Sequence, residues 1–191
     1  MDRRTSGEQV ADVIRQEILL GRMEDCQELN QVELANTLGI SRMPVRDALK
    51  QLENECFIER LDNRHTRVIG ATDQGCVSRY RLLSALETEA ALYISPGQLE
   101  QIQKAWGTAL ISSTAQRHLR LHDALFMYCS DRFLAQVYRR LFAAFIGVSF
   151  KKHEALLNDV AAENMIQAIR TGCEDTIRAA VAAYYKPLLM Q

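Results

Sequence analysis

Apolar residues recur every three or four positions along most of this chain, a spacing that predicts a mainly helical protein. Over residues 7–20, Val10, Val13, Ile14, Ile18 and Leu20 form one stripe, with Glu8, Asp12, Arg15 and Gln16 outside it. Gly21 stops that helix. A second helix is expected from Asn30 as N-cap, through Val32, Leu34, Ala35 and Leu38, to Gly39. Glu33 stands three residues after the cap, as in a capping box. After the short turn Gly39-Ile40, Ser41 can cap a third helix reaching Asn54 or Glu55, with Val45, Ala48, Leu49 and Leu52 on its core face. Pro44 falls in the first turn, where its missing N–H costs nothing. The period then changes. Residues 57–61 and 66–69 read as short extended runs flanking a polar tip, Asp62-Asn63-Arg64-His65, and predict a β-hairpin.

Beyond Ile69 no strand pattern occurs. Thr72 caps an expected helix reaching Tyr93. Ser95-Pro96-Gly97-Gln98 is a helix start with Leu99, Ile102, Trp106 and Leu110 facing inward. Ser112-Ser113-Thr114 breaks it. Further amphipathic stretches cover 115–129, 132–149, 158–170 and 174–189, with Gly172 as a C-terminal stop. Two domains are therefore expected: 1–70, three helices and a hairpin, and 71–191, an all-α bundle, with the hinge near 68–72.

Composition constrains the partners. The 191 residues are 48% hydrophobic and 25% charged, ordinary values for a globular protein. No run approaches the ~20 apolar residues a membrane span needs, and the N-terminus has no signal-peptide pattern. Five dispersed cysteines read as reduced thiols, so a cytoplasmic location and no membrane partner are expected. Net charge is −1, and residues 1–70 hold 10 basic against 13 acidic groups. Nucleic-acid binding must then rest on where the arginines stand.

They stand in a pattern. Arg42, Arg46 and Lys50 recur every four residues on one face of a helix that follows a short turn, the helix-turn-helix arrangement. A guanidinium fork matches guanine N7 and O6, discriminating by ~1–3 kcal/mol per contact. Ser41 and the helix start offer donors to phosphate, and Arg64 and His65 at the hairpin tip can probe a narrow minor groove. Residues 30–58, and above all Ser41-Arg42-Met43-Pro44-Val45-Arg46, resemble the winged helix of the GntR family of transcription regulators. The resemblance implies a winged helix-turn-helix binding double-stranded DNA at a palindromic operator. Ser41, Arg42, Met43, Pro44, Arg46 and Lys50 would lie at the contact, and the tip near Arg64 and His65 would form the wing. Three departures stand out: Cys56 replaces a glycine suited to positive φ, His65 replaces a wing glycine, and Val32 stands where some relatives carry an arginine.

The second half resembles the FadR-type (FCD) sensor domain, more weakly. Leu86-Glu87-Thr88-Glu89-Ala90-Ala91 is similar to its first helix, 121–134 to a central one, and Ala168-Ile169-Arg170-Thr171-Gly172 to its last corner. Many such domains hold a divalent metal through one Asp and three His. Those positions fall here on His118, His122, Ala162 and Tyr184, so no bound metal and no cofactor are expected. The resemblance implies a repressor, a homodimer, and a small effector, an organic acid, held by Arg79, Arg81, His118, His122 and Tyr184. Trp106 and Phe126 are expected to be core. No nucleophile elbow, phosphate loop or metalloprotease helix occurs, and Asp123 points away from His122, so an enzyme is not expected. The alternative is a winged helix used for protein contact, with a structural helical domain and no effector.

Overall fold

The structure is a computed structural model, and it describes residues 6–61, 65–69, 72–107 and 113–190. It divides into two compact units, Met1–Cys76 and Val77–Gln191. The division falls six residues later than the sequence places it, within a helix.

In the first unit α1 (Ser6–Leu19) packs on α3 (Arg42–Asn54), and α2 (Gln31–Leu38) also rests against α3. The core comprises Val10, Ala11, Ile14, Ile18, Ala35, Val45, Ala48, Leu49, Leu52, Phe57, Ile58 and Val68. On α1 the stripe is turned slightly from the expected one. Val13 and Leu20 are exposed, while Ala11 and Leu19 go inside with Arg15. The expected hairpin is present as β2 (Ile58–Arg60) and β3 (Thr66–Val68), paired antiparallel with Glu59 opposite Arg67. A third strand, β1 (Glu28–Leu29), joins the other side of β3, giving the order β1-β3-β2. Two residues carry no periodicity, so the sequence reads β1 as loop. Asp62, Asn63 and Arg64 lie outside the described residues.

The second unit is helical throughout its described residues. It holds most of α4 (Asp73–Leu92), then α5 (Pro96–Gly107), α6 (Thr114–Tyr128), α7 (Arg132–Leu141), α8 (Ala143–Lys152), a short 3-10 turn (Glu154–Leu156), α9 (Asp159–Thr171) and α10 (Glu174–Leu189). Starts follow the sequence signals. Ser95 and Gln98 bond reciprocally as a capping box, and Ser113, Asp131 and Asn158 each accept from first-turn amides. Trp106 and Phe126 are core; Leu110 and Ser112 fall outside the described residues. The stretch 132–149, expected as one helix, breaks at Phe142 (φ −120°), and α7 and α8 meet at a 52° bend. Helix α6 touches α5, α7, α8 and α9, so polar groups on its inner face are taken wholly out of water. Among the described residues no single helix is long and apolar enough to cross a membrane; the bent pair α7–α8 qualifies only jointly.

Candidate nucleic-acid interface and a buried polar cluster

The exposed side of α3 is set by its buried side. With Val45, Ala48, Leu49 and Leu52 inward, the helical period turns Arg42, Arg46 and Lys50 to solvent, and all three are exposed, as is Met43. Among the described residues one ion pair is formed there, a loose one of 3.9 Å between Arg46 and its exposed neighbour Asp47. Ser41 occupies the N-cap position in extended conformation, but its side chain makes no cap hydrogen bond to the first turn, contrary to the expected capping role. Its hydroxyl is therefore not spent on α3. Pro44 sits in the first turn, half-buried, as the spacing predicted.

Two devices aim this helix. Gly39 takes the left-handed conformation (φ 65°) that ends α2, and its N–H reaches back to the carbonyls of Ala35 and Asn36. Gly7 lets α1 approach closely: a Cβ there would lie 3.1 Å from that of Asp47. Sequence reasoning missed a third. Arg15, expected outside the stripe, is only 4% exposed. Its guanidinium grips Glu55 through Nε (2.8 Å) and Nη2 (3.0 Å), pairs with Asp12, and lies over the Phe57 ring. Gln51 donates to the same Glu55 carboxylate. The end of α3 is thereby tied to α1 and to the start of the wing.

The wing differs from expectation in detail. His65 is exposed, but its Nδ1 lies 2.8 Å from Glu28 Oε2, so β1, absent from the sequence reading, supplies a carboxylate partner to the ring. Arg67 pairs with Glu59 across the hairpin. Cys56 has φ 58°, the left-handed conformation anticipated from its replacement of glycine.

In the second unit His118, His122 and Tyr184 do come together, with three partners the sequence did not single out: Glu87, Asp159 and Tyr185. Both histidines and Glu87 are fully buried. Tyr184 Oη lies 2.7 Å from His118 Nδ1 and 2.9 Å from His122 Nε2. His118 Nε2 meets Asp159 Oδ1 at 3.0 Å, and Asp159 is held in turn by Arg117. His122 Nδ1 makes a close contact with Glu87 Oε1, and Tyr185 donates to Glu87 Oε2 at 2.8 Å. Glu87 had a signal: Tyr80, Leu83, Glu87, Ala90 and Ala91 mark one buried stripe of α4.

Partner chemistry orients this chain of bonds. Burial, against the pull of Asp159, drives the His118 pKa down to about 4, so its ring is neutral at pH 7 and carries one N–H. A carboxylate only accepts, so His118 donates from Nε2 to Asp159 and accepts at Nδ1 from the Tyr184 hydroxyl. Tyr184, having given its proton, accepts from His122 Nε2–H. A further proton then lies between His122 Nδ1 and Glu87. Burial keeps the Tyr184 and Tyr185 hydroxyls protonated by holding both pKa values well above the usual phenol range.

The metal that the family resemblance implies does not fit these residues. Ala162 is buried and offers no donor, both inner imidazole nitrogens are engaged by one neutral phenol, and no group of three His, Cys, Asp or Glu among the described residues is disposed to hold an ion. The two charges expected beside the cluster both stand on α4. Arg81 is exposed on α4, six residues and about 240° of helical turn from Glu87. Arg79 lies over the Phe145 ring.

Residues 6–68 match the family model for bacterial regulatory proteins of the gntR family. The match lies within the first unit and covers its three helices and the hairpin. The gluconate operon transcriptional repressors of Bacillus licheniformis and Bacillus subtilis (strain 168) are each 34% identical to this chain over 88 residues, 46% of the chain and 36% of the relative. The match thus spans about a third of those proteins. Two solved structures share the fold over nearly the whole chain. E. coli McbR/YncC has a TM-score of 0.59 at 16% identity, covering 96% of this chain and 94% of its own. Lar, which controls expression of the Listeria monocytogenes agr system, has a TM-score of 0.61 at 13% identity, covering 100% and 97%. Within the matched segment, α3 is the helix that carries Arg42, Met43, Arg46 and Lys50 to the surface.

Proposed function

We propose that this protein is a sequence-specific DNA-binding transcription regulator that acts as a repressor. The observation that carries the reading is the exposed face of α3, where Arg42 and Arg46 stand one turn apart at the helix start, beside a Ser41 hydroxyl that makes no cap bond. Arg42 and Arg46 are assigned to base edges, Ser41 and Lys50 to phosphates, and Met43 and Pro44 to packing against the groove. Arg64 and His65 are assigned to the minor groove, with His65 released from Glu28 on binding. The repressor role is carried over from the gluconate operon relatives, which are transcriptional repressors. A homodimer on a palindromic operator follows from the geometry of such domains, since two-fold protein symmetry is mirrored in the half-sites.

The helical unit is proposed as the part that responds to a small organic acid. What supports a response there is the buried cluster of His118, His122 and Tyr184, with Arg79 and Arg81 assigned to offer charge to the acid. An acid gains access only by displacing the Tyr184 hydroxyl, and it acts by its difference in affinity between two states of the protein. The test of the DNA reading is enrichment of bound duplexes from a random pool by the whole chain. A palindromic consensus is expected. A pool that stays random, with the chain folded, overturns the reading in favour of a protein-contact module.

A further inference from the structure

Two imidazoles one turn apart on α6 turn a nitrogen each toward a single oxygen. His118 Nδ1 and His122 Nε2 lie 2.7 and 2.9 Å from Tyr184 Oη, and all three side chains are buried. The phenol is also gripped by its ring, near-parallel to His118 with centroids 5.6 Å apart and edge-on to Tyr185 at 5.0 Å. The outer nitrogens are closed as well, by Asp159 and by Glu87. Every buried side-chain nitrogen and oxygen among the described residues has a hydrogen-bond partner. The cluster is complete in itself.

We propose that the Tyr184 hydroxyl is a built-in occupant of this cluster, standing where a divalent cation bridging His118 and His122 would stand, and that it makes the second unit independent of metal. Paired imidazoles at i and i+4 favour Zn²⁺ or Ni²⁺ when both offer lone pairs to one point and a third donor is present. Here one of the two nitrogens donates a hydrogen bond and the point is filled by a neutral oxygen. Exchange of that side chain for a smaller one with a lone pair therefore converts the cluster from closed to metal-binding, with no other change in the chain.

The inference bears on the regulator reading but does not need DNA for its test. Ni²⁺ is the probe, followed by thermal shift and equilibrium dialysis on the whole chain after treatment with EDTA. The wild type is expected to show no Ni²⁺-dependent rise in Tm and no bound ion. Tyr184→His is expected to take up one Ni²⁺ per chain with a rise in Tm of several degrees, and the double variant Tyr184→His/His118→Ala to lose both. Should Tyr184→His fail to fold, the wild type still decides through ¹⁵N spectra of its imidazoles. Nδ1 of His118 unprotonated, Nε2 of His122 protonated, and neither moved by Ni²⁺ or EDTA, support the occupant. A wild-type chain that binds Ni²⁺ and loses it in His118→Ala overturns the proposal, as does a folded Tyr184→His that binds none. Failure of DNA binding, with these metal results intact, is failure of the regulator reading alone.

Discussion

Arg15 shows how one side chain fixes the placement of a functional helix. Its guanidinium is nearly buried between α1 and Glu55 at the end of α3, and its removal leaves the largely buried Glu55 carboxylate with the Gln51 amide in place of two charged hydrogen bonds. Arg15→Ala is expected to cost about 3 kcal/mol, read as a lower urea midpoint; a cost below about 1 kcal/mol would show the pair to be incidental. The reverse holds at Cys56, whose φ of 58° is strained for any side chain. Cys56→Gly is expected to stabilise by about 0.5–1 kcal/mol, the net of relieved strain and added chain entropy, in the same assay. His118 gives a pH signature. Its pKa is about 4 when folded and near 6.5 when unfolded, so between those values the unfolded chain binds a proton that the folded one refuses. Its contribution is complete above pH 6.5 and falls away toward pH 4, by roughly 3 kcal/mol in all. His118→Asn is expected to flatten the pH dependence of stability over that window, and equal slopes in the two proteins would contradict the assignment.

At the scale of elements, the sequence was legible wherever a cap or a period change coincided with an edge. Asn30, Gly39, Ser95, Asn158 and Gly172 all act where their chemistry places them. The 132–149 stretch was not legible, for a physical reason. Ala135, Tyr138, Phe142, Phe145, Ile146 and Ser149 are all buried at helical spacing, so the pattern runs unbroken through a bend that contains neither Pro nor Gly and that tertiary packing imposes. Strand β1 is too short to have a period, and its partner Thr66 lies on a distant segment. The turn between α2 and α3 carries a prediction of its own. Nothing crowds a Cβ at Gly39, yet its φ is +65°, so Gly39→Ala is expected to cost about 1 kcal/mol from backbone strain alone. A neutral result in thermal unfolding would mean that the turn relaxes.

For the whole molecule, the division into a small mixed unit and a larger helical one follows from where strand-period segments stop. The candidate sites were legible unequally. Arg42, Met43, Arg46 and Lys50 were readable because an exposed face is what remains once the core face is assigned, whereas Glu87, Asp159 and Tyr185 meet through folding of α4, α9 and α10 onto α6. On the proposed reading, a chain of net charge −1, with an excess of acid in its first 70 residues, would hold DNA through a few placed cations, not through a general field. The decisive measurement is therefore the affinity of the whole chain for its selected duplex, as a function of salt, for the wild type and for Arg42→Ala/Arg46→Ala. The double variant is expected to keep the fold, lose roughly a hundredfold or more in affinity, and show a shallower salt slope. Unchanged affinity and slope in a folded double variant would contradict the account.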